Sequence, residues 1–344
     1  MRVAIVGSGL AALAAYATLR HGGVPPEEIA VFGTHADPTE VWRGRAAAIR
    51  QTHMRSESDG HLAAASFPGL ALRELSLRAV AGTLTNRYRP SVELFLAHAE
   101  RVRARSGWER SFRERRVEQV RGVDGGFALD GDGPFAHVLL ALGHPGLNQV
   151  PGTCHAYEPH DYAPQVAVIG AGMAAATEWR NALAAGSEVV SVRRREPLRR
   201  PLNVPRALFS KRGLASFHGL APAARVAVLH DLARPSYPPG REWDVPVRVV
   251  PEVPDGFQAI AATGFRKGFR ENMLLADLVD AHTLETHDRY LALAPDSTVP
   301  ALTDERRTLS VAGVAGQWAF PAADTIAGAK YAARAFTRRV CRTR

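Results

Sequence analysis

Two groups of side chains in this sequence have the types and spacing to do chemistry, and neither is a nucleophile or a metal set. The first runs from Val41 to His61 and holds Trp42, Arg43, Arg45, Arg50, Gln51, His53, Met54, Arg55, Ser56, Asp59 and His61. It follows no clean helical or strand period, so it reads as a loop with short helical pieces lying against a ligand, because function concentrates in such connections. His53 and Arg55 are its candidates for donating to a ring system or to an anionic substrate. The second group is Arg193-Arg194-Arg195, whose guanidinium groups suit a phosphate through bidentate, charge-assisted bonds. A solvated polar connection is the plain competitor for the first, and a solvated basic edge for the second. Cys154 and Cys341, the only 2 cysteines, form no CxxC and no metal-spaced set. That excludes the usual dithiol-disulfide chemistry, gives no reason to expect a metal, and fits a reducing cytoplasm.

The elements that must position these groups begin at the N-terminus. Val3 to Val6 reads as a buried strand, Leu10 to Arg20 as an Ala/Leu-rich helix, and His21-Gly22-Gly23 as its stop. Between strand and helix stands Gly7-Ser8-Gly9-Leu10-Ala11-Ala12, the dinucleotide fingerprint. Its first glycine allows a tight turn, its second lets backbone approach a pyrophosphate, and its third position packs helix on strand, a task that Ala12 can perform. The helix N-terminus adds free N–H groups and a positive dipole end. Ile29 to Phe32 is the expected second strand. An acidic residue about twenty positions after the glycines would hold a ribose, but the chain reads Gly33-Thr34-His35, with Asp37 the nearest acid. Thr34, His35 and Asp37 all remain candidates for that contact.

The pattern then repeats. Val166 to Ile169 is a strand, Gly170-Ala171-Gly172-Met173-Ala174-Ala175 a second glycine turn, Met173 to Ala185 a helix stopped by Gly186, and Glu188 to Val192 the next strand. Chance glycine turns would seldom occur twice in the same setting, so two nucleotides are expected. The second copy ends in Arg193-Arg194-Arg195 with no carboxylate, which favours a 2′-phosphate and therefore NADPH over NADH.

The rest of the chain supplies supporting elements. Ser91 is placed to cap a helix with an apolar face at Val92, Phe95, Leu96, Ala99 and Val102. Arg113 to Pro134 reads as a hairpin or meander around Asp124-Gly125-Gly126. Phe135 to Leu142 is a buried strand ending in Gly143-His144-Pro145-Gly146. Glu196 to Gly256 is rich in proline and arginine and reads as ordered loops covering a site. Phe257 to Ala262 is a strand ending in Thr263-Gly264, and Leu309 to Gly313 a strand leading to Gln317. Asp324 or Thr325 is placed to cap a C-terminal helix running to about Arg339, with its N-terminus facing an anion or a carbonyl.

Composition sets the outer bounds. The 344 residues, 46% hydrophobic and 22% charged, describe a globular chain of about two domains. No apolar stretch is long enough to span a bilayer. The chain opens directly on a strand, so no signal peptide is expected, and the localisation expected is cytoplasmic. The net charge of +9 is almost all arginine, with lysine only at Lys211, Lys267 and Lys330. No nucleic-acid-binding motif accompanies it, and anionic cofactors account better for these arginines.

With both glycine turns in place, the sequence resembles flavoproteins with two dinucleotide-binding domains, and most of all their flavin-dependent monooxygenase and N-hydroxylase-like branch. The residues that carry the resemblance are Gly7, Gly9 and Ala12, the Trp42 region, Gly170, Gly172 and Ala175, and Ala262-Thr263-Gly264, with Ala141-Leu142-Gly143 as a looser copy of the last motif. The resemblance implies an α/β fold of two Rossmann-like domains, a three-layer ββα arrangement with the second domain inserted in the first. FAD would lie on residues 1–160 and 262–344, and NADPH on 161–261. Two departures stand out. A linker motif F-x-G-x-x-x-H falls here on Cys154, Ala156 and His160, so only the histidine matches. The usual Gly-Asp near the C-terminus reads Gly313-Val314, with Gln317 or Asp324 as possible substitutes.

The implied function is an FAD-dependent, NADPH-oxidising oxidoreductase of monooxygenase type acting on a small molecule, with His53, Arg55 and His160 near the two rings. The protein would position the rings and exclude water, while the cofactor supplies the redox chemistry. Two alternatives stay open: an NADPH-dependent flavoprotein reductase or oxidase that oxygenates nothing, and a non-catalytic dinucleotide-binding redox protein.

Overall fold

A computed structural model describes residues 2–55, 60–63, 69–74, 76–84, 88–201 and 206–343. Ser56, Asp59 and residues 202–205 lie outside them. Two five-stranded parallel sheets carry the architecture. The first orders its strands Thr308–Val311, His137–Leu140, Val3–Val6, Ile29–Gly33 and Phe112–Glu114. Parallel strands buried on both faces read as unbroken apolar runs, and Val3, Ala4, Ile5 and Val6 are all buried. Alternate residues face opposite layers, as strand geometry requires. Val3, Ile5, Ile29 and Val31 meet the helical layer; Ala4, Val6, Ala30 and Phe32 meet an antiparallel sheet on the other side.

The helical layer pairs Leu10–His21 with the C-terminal helix Ile326–Arg342. Small side chains, among them Ala12, Ala15, Ala329 and Ala333, form the buried surface there. The antiparallel layer is a meander of Val120–Val123, Gly126–Leu129 and Asp132–Phe135, pinned to the parallel sheet by Phe135 edge-on to Phe32 at 5.9 Å. This is the three-layer arrangement the resemblance implied. One boundary differs: Phe112–Glu114 pairs in the parallel sheet and does not join the meander, because its Phe112 finds an apolar neighbour in Trp108.

The second parallel sheet orders Arg248–Val250, Glu188–Val192, Gln165–Ile169, Gln258–Ala261 and Cys154–His155. Helix Met173–Ala184 covers it with the buried Trp179. Burying so large a ring is worth on the order of 3 kcal/mol.

Two segments are more regular than their sequence suggested. The first part of the Trp42 cluster is a helix, Glu40–Ala48, because Arg45-Ala46-Ala47-Ala48 is a run of strong helix formers. The proline-rich stretch after Glu196 contains helices Lys211–His218 and Pro222–Leu232 as well as loops. Ser210 caps the first by accepting from Gly213 N at 3.0 Å, and Pro222 opens the second, where its missing N–H costs nothing. Phe217 and Leu229 from these helices bury themselves in the first unit's core, so the inserted stretch is clasped onto the domain that surrounds it.

Candidate functional site

In both sheets the strand order reverses at the strand bearing the glycine turn, and open α/β sheets bind ligands at the carboxyl ends of strands at such a point. At the first turn Gly7 has φ +108°, and a Cβ there would sit 2.2 Å from the Ala141 carbonyl oxygen. Gly9 differs. It caps helix Leu10–His21 with φ -83°, and a Cβ would meet nothing within 4 Å. Gly7 is therefore required by the protein's own packing, whereas the bare backbone at Gly9 faces open space, as a pyrophosphate cradle demands. The ribose end lacks its carboxylate. Gly33 occupies the end of the second strand, and a Cβ there would fall 2.2 Å from Ser8 Oγ. Asp37 is taken up by Thr39, whose N donates at 2.8 Å and Oγ1 at 2.7 Å, and by Arg43. Thr34 is exposed beside it.

The second turn repeats this geometry with a lid. Gly170 has φ +141°, and a Cβ would lie 2.5 Å from the Ala262 carbonyl oxygen. Gly172 opens helix Met173–Ala184, and the nearest atoms to a Cβ there are those of Pro235 at 4.0 Å. Pro235 leads into the short strand Ser236–Tyr237, which pairs with Leu198–Arg199. Of the three arginines, Arg193 is packed 5.4 Å over Trp179 and bonded to Glu196 at 3.0 Å, while Arg194 and Arg195 are exposed.

The two sheets face each other through their connections. Asn148 N donates to Gly264 O, and Arg266 N donates to Gly146 O, both at 2.9 Å. The two copies of the A-x-G motif, at Gly143 and at Thr263-Gly264, thus open two segments that pair with each other. A stack of rings fills this junction: His144 on Phe265 at 4.2 Å and Tyr157 on Phe265 at 5.0 Å. Arg45 lies 4.8 Å over Phe265, and Arg55 Nη1 donates to the Tyr157 hydroxyl at 2.7 Å. Burial, reinforced by Arg45 and Lys267, pushes His144 down to about 4, so it is neutral at pH 7.

The sequence candidates are placed as follows. His53 is exposed, with its ring bonded to Thr52 Oγ1 at 3.1 Å. Arg55 belongs to the ring stack. His160 is buried, with Nε2 at 3.0 Å from Glu178 Oε2 and Nδ1 at 2.7 Å from Glu158 O. Tyr162 donates to the same Glu178 oxygen at 2.9 Å, and Arg50 lies 4.2 Å over the Tyr162 ring. The Glu178 bond raises the His160 pKa. His160 braces helix Met173–Ala184 against the linker. Trp42 packs edge-on to Phe95 at 4.9 Å, and Met54 is a core residue.

At the far end of the first sheet Gly313, with φ +72°, abuts Gly143, with φ +69°. Thr325 caps the C-terminal helix by accepting from Gly328 N at 3.2 Å. Asp324 keeps an accessible surface, and desolvation raises its carboxyl. Beside it lies a pocket that the sequence did not reveal, lined by Gly143, Lys267, Phe269, Asn272, Arg289, Tyr290 and Gln317 among others. Only spatial proximity brings these residues together. Among the described residues no group of three or more His, Cys, Asp or Glu forms a metal site, and no helix is long and apolar enough to cross a membrane.

The fold and its two crevices define a protein of two Rossmann-like units. Solved structures of that architecture match along the whole chain. The ornithine hydroxylase of Pseudomonas aeruginosa is 14% identical with a TM-score of 0.68, covering 98% of this chain and 99% of its own. The ornithine N-hydroxylase of Kutzneria sp. 744, described with reduced FAD, NADP+ and L-ornithine, is 14% identical with a TM-score of 0.69 and the same coverage. A flavin monooxygenase of Stenotrophomonas maltophilia, in mutant form, is 19% identical with a TM-score of 0.60, covering 99% of this chain and 98% of its own. No protein-family model matches the chain, nor does any curated protein sequence.

Proposed function

We propose that this chain is an FAD-dependent, NADPH-oxidising oxidoreductase of monooxygenase type, acting on a small molecule. The observation that carries the reading is the pair of glycine turns at the switch points of two parallel sheets whose connections pair with each other. The fit to FAD is supported at the pyrophosphate end by the open space over Gly9. Residues 1–160 and 262–344 would hold it, through Gly7 to Ala12, Thr34, Trp42, Met54, Gly143, Gly313, Gln317, Asp324 and Thr325. NADPH would lie on residues 161–261, against Gly170, Gly172, Met173 to Ala175, Arg193 and Arg194, with Thr263 and Gly264 at the junction. The Kutzneria neighbour, described with reduced FAD and NADP+, supports the same pairing.

When bound, the cofactors supply hydride transfer and the reduction of O₂; the chain supplies placement and exclusion of water. Arg194, exposed at the strand end, binds the 2′-phosphate. Arg45 and Arg55 present positive charge at the junction, and neutral His144 adds none of its own. His160 orients the linker through Glu178. The substrate is a small molecule; the amino-acid substrates that the neighbours' titles name support a polar one. The protein acts in the cytoplasm.

Absorbance of the purified protein, then anaerobic titration with NADPH and NADH, tests this. A flavin spectrum bleached selectively by NADPH is expected; colourless protein that takes up no FAD would sink the reading. Flavin reduction without oxygenation would instead yield one peroxide per NADPH consumed in air and no oxygenated product.

A further inference from the structure

We propose that His160, Glu178 and Tyr162 form a proton-dependent latch that ties the second parallel sheet to the first, with Ile49 and Arg50 as the part it grips. Helix Glu40–Ala48, which ends at Ile49, spans the two cores. Its Trp42 packs against the core of the first sheet. Ile49 is fully buried, and it belongs to the core that Val166, Ala175, Trp179 and Ala182 build on the second. Asn181 Nδ2 donates to Ile49 O at 2.9 Å. Arg50 donates from Nη2 to His160 O at 2.9 Å and lays its guanidinium 4.2 Å over the Tyr162 ring. Its φ of 50° is left-handed, a region that non-glycine residues occupy only where their surroundings impose it.

The proton requirement follows from the ring's two neighbours. His160 Nδ1 lies 2.7 Å from Glu158 O, and Nε2 lies 3.0 Å from Glu178 Oε2. A carbonyl and a carboxylate only accept, so the His160–Glu178 pair keeps two protons where a neutral imidazole beside a carboxylate has one. Losing the extra proton sets lone pair against lone pair at one contact. It also strands the buried Glu178 charge, whose Oε1 has no hydrogen-bond partner among the described residues. The charged and titratable groups around the pair are Arg50, Cys154, His155, Glu158, Asp161 and Tyr162. Arg50 opposes the ring's charge, and Asp161 lies 3.7 Å from Arg50. The Glu158 carboxylate is engaged by His155 N at 3.0 Å and by Gln149 at 2.7 Å. Burial pushes His155 down and Cys154 up, and burial with Glu178 pushes Tyr162 up. His160 is therefore the group that gives up its proton first as pH rises. The latch is complete below the ordinary histidine value of about 6.5 and is lost as pH passes the raised one. Because Arg50 is bonded to the His160 carbonyl, its release frees the end of the helix that brings Arg45 over Phe265. The inference goes beyond the oxidoreductase reading and needs no bound cofactor.

Imidazole ¹⁵N shifts and amide hydrogen exchange of the full chain, corrected for intrinsic rates, test it from pH 6 to 10. At pH 6 both His160 nitrogens should be protonated. As the ring titrates, the amides of residues 49–51 should lose about tenfold or more of their protection, while those of strand Val3–Val6 hold. Glu178→Gln offers an amide donor to a neutral Nε2, so it should keep the latch shut without the extra proton and abolish that pH dependence. Arg50→Ala should leave the His160 titration in place and remove its effect on residues 49–51. A singly protonated His160 at pH 6, protection at 49–51 that ignores the titration, or an unchanged pH dependence in Glu178→Gln would overturn the proposal. Should a variant not fold, the wild-type shifts and protection still decide. The same samples, tested for FAD uptake, keep the two readings apart. Protein that takes up FAD but shows no titrating latch refutes this inference alone, and a titrating latch in protein that takes up no FAD refutes only the oxidoreductase reading.

Discussion

Gly7 and Gly9 stand two residues apart in one turn, yet their replacement by alanine should fail in opposite ways. At Gly7 a Cβ would stand 2.2 Å from the Ala141 carbonyl oxygen, and φ is +108°. A left-handed conformation forced on a non-glycine residue costs about 1–3 kcal/mol, and overpacking a rigid backbone neighbour costs about 1–3 kcal/mol more. Gly7→Ala should therefore lose roughly 2–6 kcal/mol of folding stability by those two effects. At Gly9 the backbone is extended, φ -83° and ψ -169°, and nothing lies within 4 Å of a new Cβ. Gly9→Ala should fold within about 0.5 kcal/mol of the wild type, as surface substitutions do. The methyl would instead occupy the space through which a pyrophosphate approaches, and FAD affinity should fall at least about tenfold, or ~1.4 kcal/mol. Urea unfolding of the FAD-free protein and titration by quenching of FAD fluorescence measure the two quantities. A Gly9→Ala protein that binds FAD as tightly as wild type would refute the assignment of this turn. A Gly7→Ala protein of unchanged stability would refute the packing argument.

Three further outcomes follow from the site. Arg194→Ala should raise the KM for NADPH about tenfold while leaving NADH unchanged, since the loss is of one charge-assisted phosphate contact; steady-state kinetics with both nucleotides checks this, and Arg193→Ala, which also uncovers Trp179, should in addition lower the unfolding midpoint. Glu178→Ala should cost about 3–5 kcal/mol by leaving a buried partner unpaired, measured by urea unfolding, with Glu178→Gln milder. The pH dependence runs in two directions. His160 has a raised pKa, so its contribution is complete below the unfolded value of about 6.5 and is lost as pH rises through the folded one. His98, His137 and His144 are pushed down by burial to about 3, 4 and 4. Their contributions are complete above about pH 6.5 and are lost as pH falls below it. Urea midpoints from pH 4 to 9 should therefore fall on the acid side, and Glu178→Gln should flatten the decline on the alkaline side only.

Local chemistry made much of this protein legible in its sequence. A glycine turn between an apolar strand and an alanine-rich helix is specified within a dozen residues, and Gly7, Gly9, Gly170 and Gly172 stand where that pattern puts them. The caps at Ser91 and Thr325 are equally local, each hydroxyl accepting from the N–H three residues on, at 3.1 Å and 3.2 Å. The helices at 211–218 and 222–232 were hidden because prolines and arginines break up short apolar periods, and only docking of Phe217 and Leu229 into the neighbouring core fixes them. His160 carries no mark of its role, since Glu178 lies 18 residues away and meets it only after helix Met173–Ala184 docks. The partner of Ser8 at Gly33, the ring stack at Phe265 and the Lys267–Arg289 pocket are of the same kind. Chain sequence determines which residues can turn, cap and pack within one element, because those energies depend on near neighbours. Which distant groups end up as partners, as His160 and Glu178 do, depends on the approach of distant segments, and that is settled only when the two sheets and their connections come together.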